Sequence, residues 1–242
     1  MKKNIFSIYL LMLMVFIVSG AAQSSSPIEH HEYLKQTGSE SLHFDWQLTR
    51  GNDLTLLTTL GTQKDTTRMG LDLSTLSWSV DDPQTETLIK VSRQGQKLAF
   101  QGVFNGDEID RKVKIDSAPW YQALSLSLRQ FTDSEKMSIE FWSIRPDTLD
   151  VHRLKVFRET EESIKINNVT CETIKLKIQL TGLKAVFWSC YYWLRKDDGL
   201  FVRYEGPSGP PGWPLTRVEL INPCHQVQVN PGGNGLISKL QE

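Results

Sequence analysis

AVFWSCYYWLRKDDGLFVRYEGPSGPPGWPLTRVEL, from Ala185 to Leu220, reads as a strand, a tight turn, a second strand, a Pro/Gly loop and a third strand. Asp197-Asp198-Gly199 is the turn: glycine takes the positive φ of the last turn position, and aspartate hydrogen-bonds nearby backbone. Turn length sets register, and register decides which side chains share a face. A two-residue loop at Asp198-Gly199 pairs Leu194 with Arg203 and Lys196 with Phe201, mixing apolar and charged groups. A three-residue loop over 197–199 pairs Leu194 with Val202, Tyr192 with Tyr204, Trp193 with Arg203 and Tyr191 with Glu205. Only the second separates an apolar face from an amphipathic one, so it is the register the sequence predicts. Trp193 and Arg203 then stack as ring and cation, worth about 0.5–1 kcal/mol if exposed. With Trp213 on the Pro/Gly loop, they are candidate ligand or partner contacts. Plain cross-strand packing is the competing reading of the same aromatics.

Working outward, the period of two continues through most of the chain. Leu42, Phe44 and Trp46 alternate with polar residues, and Leu54 to Leu60 follows the Gly51-Asn52-Asp53 break. Lys64 to Thr67 reads as a turn into Arg68–Leu73. Leu76, Trp78 and Val80 alternate again, and Thr87–Ser92, Leu98–Phe104 and Ile109–Ile115 follow as short strands, separated by turns at Gln94-Gly95-Gln96 and Asn105-Gly106-Asp107. Met137, Ile139 and Phe141 alternate again; Leu149–Glu159 slips near His152-Arg153, the signature of a bulge. Val169 to Leu180 is the cleanest strand, with Ile174, Leu176, Ile178 and Leu180 on one face. Strands at this spacing predict a meandering antiparallel sheet.

One segment breaks the pattern. In Ser117–Phe131, SAPWYQALSLSLRQF, Ser117 caps and Pro119 suits a first helical turn. Trp120, Leu124, Leu128 and Phe131 fall on one stripe, which predicts a helix over 117–131. If that helix covers a cavity, Trp120 is a further candidate contact. Leu124–Leu128 also alternates as a strand would.

The two ends carry other information. Lys2 and Lys3, an apolar run from Ile5 to Val18, and Ser19 to Ala22 form a secretory signal peptide, expected over 1–22. The run is short for an uncleaved anchor, and no later stretch is apolar enough to span a membrane as a helix. Residues 23–40 read as a flexible lead-in, 41–222 as one β domain and 223–242 as a polar tail. The remaining length of about 220 residues suffices for one all-β core. The 27 Lys and Arg against 28 Asp and Glu leave no basic excess for binding nucleic acid.

Cys171, Cys190 and Cys224 lack metal-ligand spacing. A hairpin turn at 181–183 sets Cys190 opposite position 174, roughly 10 Å from Cys171 and too far for a bridge. Cys171–Cys224 is the disulfide that spacing leaves open. No phosphate loop, nucleophile elbow or zinc-protease helix is present, so no catalytic residue, metal or cofactor is expected. Asp107, Glu108 and Asp110 lack the loop spacing of a calcium site. His43, His152 and His225 lack a motif that would mark a triad. Asn168-Val169-Thr170 matches a glycosylation acceptor, relevant only to a eukaryotic secretory route.

The segment IDSAPWYQALSLSLRQF and the late WSCYYWLRKDDGLFVRYEG followed by PGWPLTRVEL together resemble an uncharacterised family of exported bacterial domains of unknown function. That resemblance covers roughly Ser41 to Ile221. It implies a curved, open sheet like that of the lipoprotein-localisation carriers, a half-barrel around a helix that holds acyl chains. It transfers no functional residue. No cysteine follows the small residues after Val18, which separates this chain from lipid-anchored receptors with that sheet. The expectation is a mainly β protein: a single, strongly curved antiparallel sheet with one helix on its concave side. The expected role is non-enzymatic, in the periplasm of a Gram-negative bacterium or otherwise secreted. Its partner would be a lipid or other apolar ligand. The alternative is an envelope assembly module that meets a protein or glycan through the aromatic hairpin.

Overall fold

The computed structural model describes residues 28–132, 137–182, 188–207 and 214–222. Its first meander comprises β1 (Glu29–Thr37), β2 (Glu40–Arg50), β3 (Leu54–Leu60), β4 (Gln63–Met69), β5 (Thr75–Asp82), β6 (Thr87–Arg93), β7 (Lys97–Phe104) and β8 (Asp107–Lys114). The second comprises β9 (Ser138–Ile144), β10 (Val151–Ile166), β11 (Val169–Leu180), β12 (Ser189–Arg195), β13 (Phe201–Pro207) and β14 (Leu215–Leu220). Antiparallel pairing of β1 with β14, from Tyr33 opposite Leu220 to Thr37 opposite Thr216, fuses the two. The result is one 14-stranded sheet running from β8 to β9. It is mainly β and antiparallel, as the alternation predicts, and strongly curved and not closed into a barrel, as the resemblance implies; the described residues hold one short helix.

A strap between β8 and β9 joins the start of β5 to the edge strand β9. Trp120 gives its carbonyl to Thr75 N of β5 at 2.7 Å. On the other side, Tyr121 N donates to Trp142 O of β9 at 2.9 Å, and Trp142 N donates to Pro119 O at 2.8 Å. The Gln122 amide acts as one more strand residue: Nε2 donates to Ile144 O and Oε1 accepts from Ile144 N, each at 3.0 Å. Arg93 clamps the strap's start by donating to the carbonyls of Asp116 and Ala118. Trp120, fully buried, fills the seam with Trp78 and Phe100 from one end of the sheet and Ile144 and Leu149 from the other.

This strap corrects the expected helix over 117–131. Residues 117–123 are not helical because the backbone of 119–121 serves β5 and β9, and the residue before Pro119 is disfavoured in helical conformation. The helix is only α1 (Leu124–Ser127), continued by a 3-10 turn over Leu128–Phe131. It does pack on the concave side, where Leu126, Leu128 and Phe131 are at most 2 % exposed among Trp46, Leu48, Phe141 and Leu176.

Three further expectations change. The lead-in over 23–40 is not loose along its whole length: residues 29–37 form β1, flanked by strands on both sides. The turn read at Lys64 to Thr67 lies inside β4, and the chain reverses instead at Gly61-Thr62. The bulge in β10 falls between Arg158 and Thr160 rather than near His152-Arg153. The expected signal peptide and the tail after Asn222 lie outside the described residues.

The hairpin keeps its predicted pairs Tyr191–Glu205, Tyr192–Tyr204 and Trp193–Arg203. Leu194 then meets Phe201 rather than Val202, because a bulge intervenes. The turn is one residue longer than read: Gly199 N donates to Arg195 O, and Arg195 N donates to Leu200 O. Both Phe201 and Val202 are thereby buried.

Candidate functional site

Inward-facing residues of the sheet divide along the strands. Toward one end they make a closed core around α1; toward the other they line an open cavity of about 1150 Å³. Its floor is built by Leu56, Trp78, Ile89, Ala123 and Ile144, so the strap and the start of α1 separate cavity from core. Cys190, Tyr192, Phe201 and Tyr204 form the wall on β12 and β13. Gln63, Asp65 and Thr67 of β4, with Asp82 and Thr87 of β5 and β6, form the wall opposite.

Electrostatics follow burial. Desolvation pushes the Asp65 carboxyl above its usual range; hydrogen bonds from Gln63 and Trp78 oppose this, and the negative charge of Asp82 adds to it. Desolvation likewise raises the Cys190 thiol and the Tyr192 and Tyr204 phenols, which stay protonated at neutral pH. A thiol held protonated is a poor nucleophile. Arg145 at the mouth is held by Asp147, with Nε to Oδ1 at 2.6 Å and Nη2 to Oδ2 at 2.7 Å. Among the described residues no group of three His, Cys, Asp or Glu has the geometry to hold a metal ion. The site is a container with a few polar groups, the form of a small-molecule binding pocket.

The residues predicted from sequence as contacts sit elsewhere. Trp193 is 5 % exposed; its indole N–H donates to Glu162 Oε1 at 2.6 Å. The predicted cation–ring pair is present, with Arg203 5.7 Å and Lys175 5.3 Å from the Trp193 ring. Arg203 is also engaged by Glu219 and by the Lys165 carbonyl. The pair therefore joins β10 to β14 on the outer face rather than offering free surface. Trp120 sits in the seam and does not line the cavity. Trp213 and Cys224 lie outside the described residues. Cys171 is buried on β11, and Cys190 faces Ile178 rather than position 174, so those two cysteines are roughly 23 Å apart along the sheet.

Trp193→Phe is expected to lower the unfolding free energy by about 2 kcal/mol, the worth of a hydrogen bond to a carboxylate. Urea denaturation measures it; an unchanged midpoint would mean that the indole N–H does no structural work.

Sequence reasoning missed the polar wall. Gln63, Asp65 and Thr67 carry period two, but in polar residues, so β4 read as a turn.

No family model matches the chain, and no curated protein matches it. Among solved structures it is similar to a beta-barrel-like protein of the domain of unknown function DUF1849 from Brucella abortus. That match has 9% identity, covers 79% of this chain and 94% of the other, and has a TM-score of 0.52. A DUF1329 family protein from Desulfovibrio piger matches at 11% identity over 79% of this chain and 81% of the other, with a TM-score of 0.29. A LolA superfamily protein from Nitrosomonas europaea matches at 10% identity over 81% and 86%, with a TM-score of 0.23. The first shows a shared fold; the other two overlap too loosely to support an argument. The resemblance to an uncharacterised bacterial family with a curved, open sheet thus holds at the level of fold.

Proposed function

We propose that this protein is an exported, non-catalytic binding protein that carries an apolar or amphiphilic ligand in the open half of its curled sheet. The observation that carries this reading is the cavity of about 1150 Å³ on the concave side, bounded by α1 and the strap. A pocket of this size with an aromatic wall exceeds what a drug-sized ligand requires and suits a longer chain. Transfer of each buried CH₂ from water contributes about 0.8 kcal/mol, enough to hold an acyl-sized molecule without specific chemistry. Burial disfavours the thiolate of Cys190, which argues against thiol chemistry in the cavity; Ser125 and Ser143 also line it, with His152 on the strand beside Ser143. The signal-like start of the chain supports export.

Native mass spectrometry and solvent extraction of the purified protein test the proposal. A stoichiometric apolar molecule, or saturable binding of the probe N-phenylnaphthylamine, is the expected result; neither being found overturns it. Thr58→Trp supplies the structural control. Thr58 lines the cavity from β3 and is only half-buried, so an indole can enter the void without overpacking the core. Probe affinity is expected to fall at least about tenfold while the unfolding midpoint stays near wild type. Unchanged affinity would place the ligand elsewhere.

A further inference from the structure

The two long walls of the cavity differ in chemistry. Leu154, Leu180, Tyr192, Phe201 and Val218 face it from β10–β14. Asp65, Asp82, Thr67 and Thr87 face it from β4–β6. The two carboxylates are not equivalent. Asp82 is used by two turns: it accepts from Gln84 N and Thr85 Oγ1 of the turn that follows it at 3.1 and 2.9 Å, and from Thr62 Oγ1 of the β3–β4 turn at 3.3 Å. Asp65 accepts from Gln63 Nε2 at 2.9 Å and from Trp78. Among the described residues Asp82 is the charge that acts on it; no cation does. Of the cations lining the cavity, Lys35 sits three strands away on β1 and four residues out of line with Asp65, roughly 19 Å along the sheet, and Arg145 is engaged by Asp147. A desolvated carboxylate facing a void, with a second one beside it and no counter-ion, costs stability that apolar filling would not. A ligand that brings the missing positive charge relieves that cost.

Building on the carrier reading, we propose that the cavity selects an amphiphile with a cationic amine group, seated against Asp65, and its apolar chain along the β10–β14 wall. A fatty-acid carboxylate is disfavoured at that place by like-charge repulsion from Asp65 and Asp82. A neutral alcohol of equal chain length falls between the two.

Calorimetric titration of the purified protein with dodecylamine, 1-dodecanol and dodecanoate, each below its micellar concentration, tests this. Dodecylamine is expected to bind at least about tenfold more tightly than dodecanoate to wild type. Asp65→Asn, which keeps the shape and the acceptor, is expected to abolish that preference while leaving 1-dodecanol within about threefold. The unfolding midpoint of Asp65→Asn at neutral pH is expected at or above wild type, because a buried carboxylate without a counter-ion has been neutralised, so lost amine binding cannot be ascribed to misfolding. Equal affinity for amine and carboxylate, or an amine affinity that Asp65→Asn leaves unchanged, overturns the head-group proposal while the carrier reading stands. Failure of all three probes to bind wild type overturns both.

Discussion

Arg129→Met is expected to destabilise the protein by about 3–5 kcal/mol, the cost of leaving one member of a buried ion pair without its partner. Arg129, on the turn after α1, forks onto Glu29 at the start of β1: Nη1 to Oε1 and Nη2 to Oε2, both at 2.8 Å. Both side chains are more than four-fifths buried, at 16% and 17% exposure. The guanidinium also lies 5.2 Å from the Trp46 ring, and His31 approaches Glu29 at 3.4 Å. Burial alone would raise the Glu29 carboxyl, but hydrogen bonds from His31 and Arg129, and their charges, outweigh it and bring the pKa down to about 2. A depressed carboxyl pKa contributes stability that is fully present above the unfolded value near 4.5 and is lost as pH falls toward about 2. That contribution is about 3 kcal/mol at neutral pH. In Arg129→Met the carboxyl loses its two-pronged partner and the charge that comes with it, so the acid-side loss should begin at higher pH. Urea unfolding at pH 7, 5, 4 and 3 reads both effects. The double replacement Glu29→Gln with Arg129→Met should recover at least half of the loss, since no charge is then stranded. A single variant that unfolds like wild type at every pH would show that the helix is held by packing alone.

The position of this pair explains why β1 escaped sequence reading. Its inward residues are His31, Tyr33, Lys35 and Thr37, of which only Tyr33 is an ordinary core side chain. His31 serves the ion pair, while Lys35 and Thr37 face the cavity. β4 escaped for the same reason, since Gln63, Asp65 and Thr67 also face the cavity and only Met69 reaches the core. By contrast β3 and β11 are legible, because leucine or isoleucine holds most of their inward positions: Leu54, Leu56 and Leu60 on one, Ile174, Leu176, Ile178 and Leu180 on the other. Binary patterning reports burial against protein. Where the container wall is polar, as on β1 and β4, the pattern fades; the apolar wall on β10–β14 reads like any core strand. The strap failed differently. Trp120, Leu124, Leu128 and Phe131 do share helical spacing, but the pull of the β9 edge and of the start of β5 on the backbone of 119–121 is invisible in side-chain periodicity. Trp193 and Arg203 pair across the hairpin as expected, and each is engaged elsewhere. Their partners Glu162 and Glu219 come from other strands, which the hairpin alone does not reveal.

Gly102→Ala is the second change expected to have a large effect, about 3 kcal/mol or more. Gly102 lies in β7 opposite Ile89 of β6, with φ +130. A Cβ there would sit 2.1 Å from the Leu88 carbonyl oxygen and 3.0 Å from Ile89 Cα. Both are backbone atoms held by the ladder, so no side-chain rotation relieves the contact. The two strands must part, and Ile89 and Phe104, which line the cavity, move with them. Gly95 is the matched control: its φ is +60 and nothing lies within 4 Å of an added Cβ. Gly95→Ala therefore meets only the left-handed backbone penalty of about 1 kcal/mol. Chemical denaturation of the two variants separates steric obstruction from backbone preference, and probe titration on Gly102→Ala reads the cavity wall. Equal losses at both glycines would mean that β6 and β7 already breathe enough to admit a methyl group. A far larger loss at Gly102, with weakened probe binding, would show that the close approach of these strands shapes the container.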